Sequence, residues 1–279
     1  MSELTDKVNK SVKLLRTISK AKGGEIIELS YSGGKDSDVI LRLAQLAGIP
    51  YRAIYKNTTI DPMGTVAHCK AAGAEIIRPK RTFFQIIEAK GFPSRFARFC
   101  CSELKEYKIL DTSIQGIRRD ESRARLDRYK EPVTCRNYGK GEHVDVILPI
   151  LDWTLADVAE FIKSENILCA PVYYDEEGNF CPERRLGCMG CPMASRRKRI
   201  EEFRKHPKLA RAWIHAGQRW FDNRKGNPTK SMLKFKDAYE IFAFSLLCNN
   251  YEEFIHFKRG LFGETDCKQF LEDYLKTRL

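Results

Sequence analysis

Long apolar runs, internal repeats and low-complexity tracts are all missing from this 279-residue chain. No stretch reaches the roughly 20 apolar residues that a membrane-spanning helix needs, and the absence of a period excludes the repeat architectures. No charged-then-apolar leader opens the sequence. Ten cysteines are too sparse for a disulfide scaffold at this length. The expectation is a cytoplasmic chain with reduced thiols and no membrane partner, in which clustered cysteines bind metal or do redox chemistry. Acidic residues are also in deficit: 37 Asp+Glu against 49 Lys+Arg leaves a formal charge of +12 and pI ≈ 9.2. That balance favours a polyanionic partner or substrate without naming the anion.

What is present begins with alternating signals. Leu4, Val8, Val12, Leu15 and Ile18 recur at helical spacing, and Glu25 to Tyr31 (EIIELSY) then reads as a buried strand. Further strands are predicted at Tyr51 to Tyr55, Glu75 to Arg78, Thr112 to Ile117 and Val144 to Ile150, with helices at Val39 to Leu46, Met63 to Ala72 and Thr82 to Lys90 between them. Alternation of this kind implies an α/β fold: a parallel twisted sheet with helices on both faces and ligands at the carboxyl ends of the strands. Residues 118–142 are basic and poor in apolar side chains, and read as a loop or lid over the sheet edge. Thr154 or Asp152 caps a helix whose inner face is Leu155, Val158, Ala159 and Ile162. From Arg196 onward the pattern is helical. The expected division is an α/β nucleotide-binding domain over 1–195 and a helical C-terminal region over 196–279.

The strand ending at Tyr31 runs into Ser32-Gly33-Gly34-Lys35-Asp36-Ser37 and then a helix. This order presents backbone N–H groups and a helix N-terminus to phosphate. Gly33 and Gly34 permit positive φ and close approach of an oxyanion, Lys35 adds charge, and the Ser32 and Ser37 hydroxyls donate. The spacing is not that of Walker A. Asp36 either holds Mg²⁺, should ATP be the ligand, or caps the following helix.

The Ser32 to Ser37 string resembles the pyrophosphate loop of the adenine nucleotide alpha hydrolase superfamily, which includes ATP pyrophosphatases and phosphoadenosine phosphosulfate (PAPS) reductases. Three further segments narrow the likeness to the PAPS reductase-like branch. Asn57-Thr58-Thr59-Ile60-Asp61-Pro62-Met63 stands where relatives carry Thr-Gly-…-Pro-Glu-Thr. Gly116-Ile117-Arg118-Arg119-Asp120-Glu121-Ser122 is similar to Gly-x-Arg-x-x-Glu-Ser, and Pro149 to Val158 is similar to Pro-x-x-x-Trp-x-x-x-Asp-Val. The resemblance covers roughly residues 25 to 195. It implies a nucleotide with phosphates on the Ser32 to Ser37 loop, adenine near Tyr55 to Asn57, and Arg118 or Arg119 facing an anionic group. A guanidinium suits that role through its bidentate fork.

Two groups of cysteines stand out: the tandem Cys100-Cys101 and the knuckle Cys188-Met189-Gly190-Cys191. Four thiolates suit a [4Fe–4S] cluster or a tetrahedral zinc. The tandem followed by C-x-x-C resembles the cluster signature of iron–sulfur sulfonucleotide reductases, which favours the cluster; Cys181 is the reserve ligand to Cys101. Those reductases also use a C-terminal Glu-Cys-Gly-x-His cysteine, whereas here Cys267 lies in Glu264-Thr265-Asp266-Cys267-Lys268, without Gly or His. The unaltered Ser-Gly-Gly-Lys-Asp-Ser loop resembles ATP pyrophosphatases more closely. The resemblance therefore implies an enzyme of nucleotide-activated sulfur transfer or sulfonucleotide reduction, with an electron donor or sulfur-transfer partner and no catalytic residue assigned. The alternative is a nucleic-acid-associated iron–sulfur module without turnover, reading phosphates through the basic 118–142 stretch and the Arg196 to Lys208 helix. The five histidines form no ligand pair at helical spacing, and Trp213 and Trp220, seven apart, mark one core-facing helix face.

Overall fold

In the computed structural model, which describes residues 3–138, 141–230, 232–260 and 263–279, the chain forms two compact units. The first comprises Met1–Asn57, Asp61–Pro79 and Leu104–Gly187. The second gathers Thr58–Ile60, Lys80–Glu103 and Cys188–Leu279.

The first unit is built on a six-stranded sheet: β1 (Ile27–Ser30), β2 (Tyr51–Lys56), β3 (Glu75–Ile77), β4 (Thr112–Ile114), β5 (Val133–Tyr138) and β6 (Glu142–Ile147). Their order is β3-β2-β1-β4-β6-β5, with every pairing parallel except the β5–β6 hairpin. The expected α/β class with a mostly parallel sheet is therefore present. Because β2 lies on one side of β1 and β6 lies on the far side of β4, the connections leaving β1 and β4 diverge. A crevice opens at their carboxyl ends, where open α/β sheets bind ligands.

Helices α1 (Glu3–Ala21), α2 (Lys35–Ala47) and α7 (Leu155–Ser164) share a core with the sheet. Leu15, Leu29, Val39, Ile40, Leu43, Ile114, Ile147, Val158 and Phe161 are among its buried side chains. Each large aliphatic side chain buried there contributes about 1.5–3 kcal/mol. Polar contacts fix α1 against this core. The Ser11 hydroxyl donates to Pro149 O at 2.6 Å and accepts from Trp153 Nε1 at 3.2 Å, and Lys7 pairs with Asp157 at 2.7 Å. Thr154, not Asp152, caps α7, in a reciprocal box with Asp157. Gly48, at φ +64, ends α2 in the left-handed conformation that glycine adopts without steric cost.

Part of the stretch expected to be loop is regular. Residues 123–128 form helix α6 and 133–138 form β5; residues 139 and 140 lie outside the described residues. β5 is an edge strand that alternates exposed Val133, Cys135 and Asn137 with half-buried Thr134 and Arg136 and buried Tyr138, so its inward side chains are mostly polar and left no apolar period to detect.

The second unit is helical: α4 (Phe83–Lys90), α5 (Phe99–Leu104), α8 (Arg196–Lys205), α9 (Pro207–Asn223), α10 (Ala238–Leu247), α11 (Tyr251–Arg259) and α12 (Cys267–Leu275). The remaining helix, α3 (Thr65–Ala71), belongs to the first unit. The core of the second unit is aromatic. Phe83 and Phe203 lie 4.9 and 5.9 Å from Trp213 between ring centroids, and Phe203 lies 5.1 Å from Phe242. Trp213 and Trp220 both face inward from α9. T-shaped and tilted pairs of this kind add about 0.5–1.5 kcal/mol each beyond burial.

One glycine supports the crevice directly. A methyl group on Gly116 would lie 2.8 Å from the backbone oxygen of Asp36, which cannot swing aside as a side-chain tip can. Gly116→Ala should therefore destabilise the protein by about 1–3 kcal/mol in a urea titration. Gly187→Ala, which meets nothing within 4 Å, should stay within about 0.5 kcal/mol of the native protein. Equal midpoints for the two variants would contradict the packing.

Candidate functional site

The crevice at the ends of β1 and β4 is a cavity of about 510 Å³. Ser32, Gly34, Lys35, Asp36 and Ser37 line it from the β1–α2 turn, and Gly116 and Arg118 from the segment after β4. The turn is internally braced: Ser37 Oγ donates to Gly34 O at 2.6 Å, and Gly34 N donates to Ser32 Oγ at 3.3 Å. Gly33, at φ +73, sits behind the lining, where a methyl group would press on Cys69 Sγ at 3.0 Å. The first residues of α2 thus line the cavity, so the positive end of the helix dipole lies at it, which favours anions.

Asp36 is the hub of the charges. Its Oδ2 accepts from Lys35 Nζ at 3.0 Å and its Oδ1 from Arg118 Nε at 2.7 Å. Arg118 is only 3 % exposed and also pairs with Asp120. Burial works against its charge, but Asp36 and Asp120 outweigh that and raise its pKa. Asp36 therefore bridges two cations, and no side-chain cap is formed at the start of α2. Arg119 turns elsewhere, donating from Nε to Tyr129 O at 2.8 Å and pairing with Asp152.

The structure adds Arg125, Arg185, Glu183 and Tyr173, which no motif singled out, to the lining of the same cavity, beside Glu121 of the Gly116 to Ser122 segment. Burial lifts the Tyr173 phenol to about 12, so it serves as a neutral hydroxyl to which Leu186 N donates at 3.4 Å. Arg125 lies in the basic stretch, so its charge was visible in the sequence; Tyr173 ends a short 3₁₀ segment with no motif around it. A second cavity of about 240 Å³ shares Ser30 and Ser32 and is lined by Ile54, Tyr55 and Lys56 at the end of β2. Asn57 directly follows β2, donating its N–H to Ile77 O at 3.0 Å.

The four cysteines of the tandem and the knuckle all belong to the second unit. Cys100 and Cys101 open α5, and Cys188 and Cys191 flank the turn at Gly190, which has φ +71. The Cys100 thiol is pushed well up, first by its hydrogen bond with Cys101, then by burial and by the charges of Cys101, Cys188 and Cys191. Among the described residues, no three His, Cys, Asp or Glu side chains are drawn together closely enough to hold a metal ion as they stand. The four thiols thus share one unit as two pairs. As a donor set they fit a thiophilic centre, iron–sulfur or zinc, and not a hard cation. Beside the knuckle, burial pulls Arg199 down to about 10 while the Cys191 charge acts in the opposite direction.

Cys181 lies in the first unit, with its thiol toward Asn179 O at 3.5 Å. Cys267 starts α12, is buried, and burial raises its thiol to about 12. Cys69 is likewise pushed up to about 12 by burial. A thiol held protonated in this way is a poor nucleophile.

Residues 26–194 match the family described as "Phosphoadenosine phosphosulfate reductase domain". An uncharacterized protein of Methanocaldococcus jannaschii is 28% identical over 208 residues, which cover 70% of this chain and 48% of that protein. The chain thus spans about half the length of that relative. Sulfate adenylyltransferase subunit 2 of Shewanella frigidimarina is 25% identical over 215 residues, 62% of this chain and 68% of that one. Among solved structures, the U34-tRNA thiolase of Methanococcus maripaludis with its [4Fe–4S] cluster aligns at a TM-score of 0.42 and 14% identity, covering 82% of this chain and 83% of that one. With the match spanning both the β1–α2 loop and the cysteine knuckle, the chain belongs to the phosphoadenosine phosphosulfate reductase domain family.

Proposed function

We propose that this chain binds an adenine nucleotide on the Ser32 to Ser37 loop and splits ATP between its α- and β-phosphates, activating an acceptor for sulfur transfer. The observation that carries this reading is the sharing of one carboxylate, Asp36, by two buried cations, Lys35 and Arg118. A phosphate entering the cavity offers both cations a second acceptor at the N-terminus of α2. The lining holds four cations, Lys35, Arg118, Arg125 and Arg185, against three carboxylates, Asp36, Glu121 and Glu183. A triphosphate carries more negative charge than this excess offsets, so the ligand is MgATP, with Asp36 the carboxylate that holds the ion. Adenine takes the adjoining cavity at Ile54 to Lys56.

In this reading an acceptor oxygen attacks the α-phosphorus and pyrophosphate leaves. Lys35 and the positive end of the α2 dipole stabilise the charge that grows on the leaving group. Gly34, which lines the cavity, puts no side chain in its path. Cys100, Cys101, Cys188 and Cys191 hold the metal centre, a [4Fe–4S] cluster, which supplies a soft site for sulfur. The buried, protonated state of Cys267 weighs against sulfonucleotide reduction through a thiosulfonate at that residue. The charges of α8 also weigh against a nucleic-acid module. Arg197 and Lys198 pair with Glu201 and Glu202 one turn on, and Arg199 is buried.

Three outcomes follow. Incubation with MgATP and, separately, with PAPS should yield pyrophosphate from the first and no sulfite from the second; sulfite release without pyrophosphate would overturn the assignment. Asp36→Asn should lower ATP turnover about 10²–10³-fold while the chain stays folded by circular dichroism. Anaerobically purified protein should contain iron and absorb at about 400 nm, and Cys100→Ser and Cys188→Ser should each lose most of that iron; a colourless protein holding one zinc would contradict the cluster.

A further inference from the structure

The turn between Cys188 and Cys191 is bracketed by two arginines that make no ion pair with a carboxylate among the described residues. Arg199, 5 % exposed, donates from Nε to Gly190 O at 3.3 Å and from Nη1 and Nη2 to Ser245 O and Oγ at 2.5 and 3.4 Å. Arg95 donates to Pro192 O at 3.0 Å and Ala194 O at 3.4 Å. Glu202, a carboxylate on the same helix as Arg199, is engaged with Gly190 N at 2.7 Å and Lys198 at 3.8 Å. Arg95 is exposed, so its charge is solvated, but Arg199 is not. Glu202 acts on the Arg199 charge from nearby but is shared with Gly190 N and Lys198, so a buried guanidinium hydrogen-bonded only to neutral oxygens keeps a charge that is only partly offset, which is costly in a low-dielectric interior.

A second deficit meets the first at the same glycine. Trp213 is 1 % exposed and its indole N–H has no hydrogen-bond partner. That nitrogen lies 3.2 Å from where a methyl group on Gly190 would stand, so the orphan donor faces the knuckle. Leaving such a donor unsatisfied is unfavourable. One kind of occupant relieves both deficits: negative charge on the cysteine sulfurs. Four thiolates carry four negative charges and either a [4Fe–4S]²⁺ core or a Zn²⁺ returns two, so the assembled centre stays anionic.

We propose that Arg199 and Trp213 form a donor wall for the four-cysteine site, Arg199 as its buried counter-charge and Trp213 as an N–H donor facing the Cys188–Cys191 turn, and that together they set the stability and reduction potential of the metal centre. The inference rests on the four-cysteine reading above. It assigns Arg199 away from the solvated basic tract in which it stands: Arg199, Ile200 and Phe203 are the inward residues of α8. Positive charge and N–H donors beside a cluster stabilise its reduced, more negative state and raise its potential.

The test is redox titration of the full chain, reconstituted anaerobically, followed by absorbance and electron paramagnetic resonance. Arg199→Met should shift the one-electron equilibrium about tenfold toward the oxidised form, a fall of about 59 mV. Trp213→Phe should shift it in the same direction by less, Arg199→Lys should restore most of the loss, and Arg197→Met, on the exposed face, should leave it unchanged. If the wild-type chain holds zinc instead, chelator competition should show about tenfold weaker zinc binding in Arg199→Met. Should Arg199→Met fail to fold, the Arg199→Lys and Trp213→Phe potentials carry the test. A loaded Arg199→Met protein with wild-type potential or zinc affinity overturns the counter-charge and leaves the cluster reading intact. A wild-type chain that takes neither iron nor zinc overturns both.

Discussion

Everything proposed for the first unit depends on how Asp36 shares its carboxylate. Lys35 and Arg118 come from opposite sides of the crevice, one from the turn after β1 and the other from the segment after β4, and both are buried. Neither could be held there without an anion. Asp36 supplies it, and the close approach of Gly116 to the Asp36 backbone keeps the two segments in register. The result is a site whose two buried cations are held by a carboxylate without ligand, yet stay within reach of one. A strand order that diverges at β1 and β4 is what makes room for it.

The second unit applies the same logic to sulfur. Its aromatic core packs around Trp213 and Phe203, and both side chains also press against Gly190, so the rigidity of the core is transmitted to the cysteine knuckle. Only glycine fits there, because a methyl group would lie 2.7 Å from Phe203 Cζ. On the proposed reading, an anionic metal centre at this turn and a buried arginine beside it would be complementary, as Asp36 and its two cations are in the first unit.

How much of this was legible in the sequence follows from locality. The Ser32 to Ser37 loop was readable because its chemistry is contiguous: strand, hydroxyls, glycines and charge stand together along the eleven residues from Ile27 to Ser37. Arg118 and Arg119 could not be told apart, since adjacent residues leave an extended backbone on opposite sides, and only the fold decides which side is the cavity. Tyr173 and Arg185 reach the site from a segment without periodicity. Edge strand β5 escaped because its inward residues, Thr134, Arg136 and Tyr138, make no apolar pattern. Arg199 was hidden by its neighbours: four consecutive basic residues read as one solvated face, although the spacing of Arg199, Ile200 and Phe203 already marked an inward stripe.

The claim on which the account turns is that nucleotide phosphates take over the cations that Asp36 holds. Calorimetric titration of MgATP into the wild-type chain and into Lys35→Met measures this most directly. Loss of one charged hydrogen bond to phosphate, about 1.5–3 kcal/mol, predicts affinity weaker by roughly ten- to a hundredfold in the variant. Equal affinities in the two proteins would contradict the account.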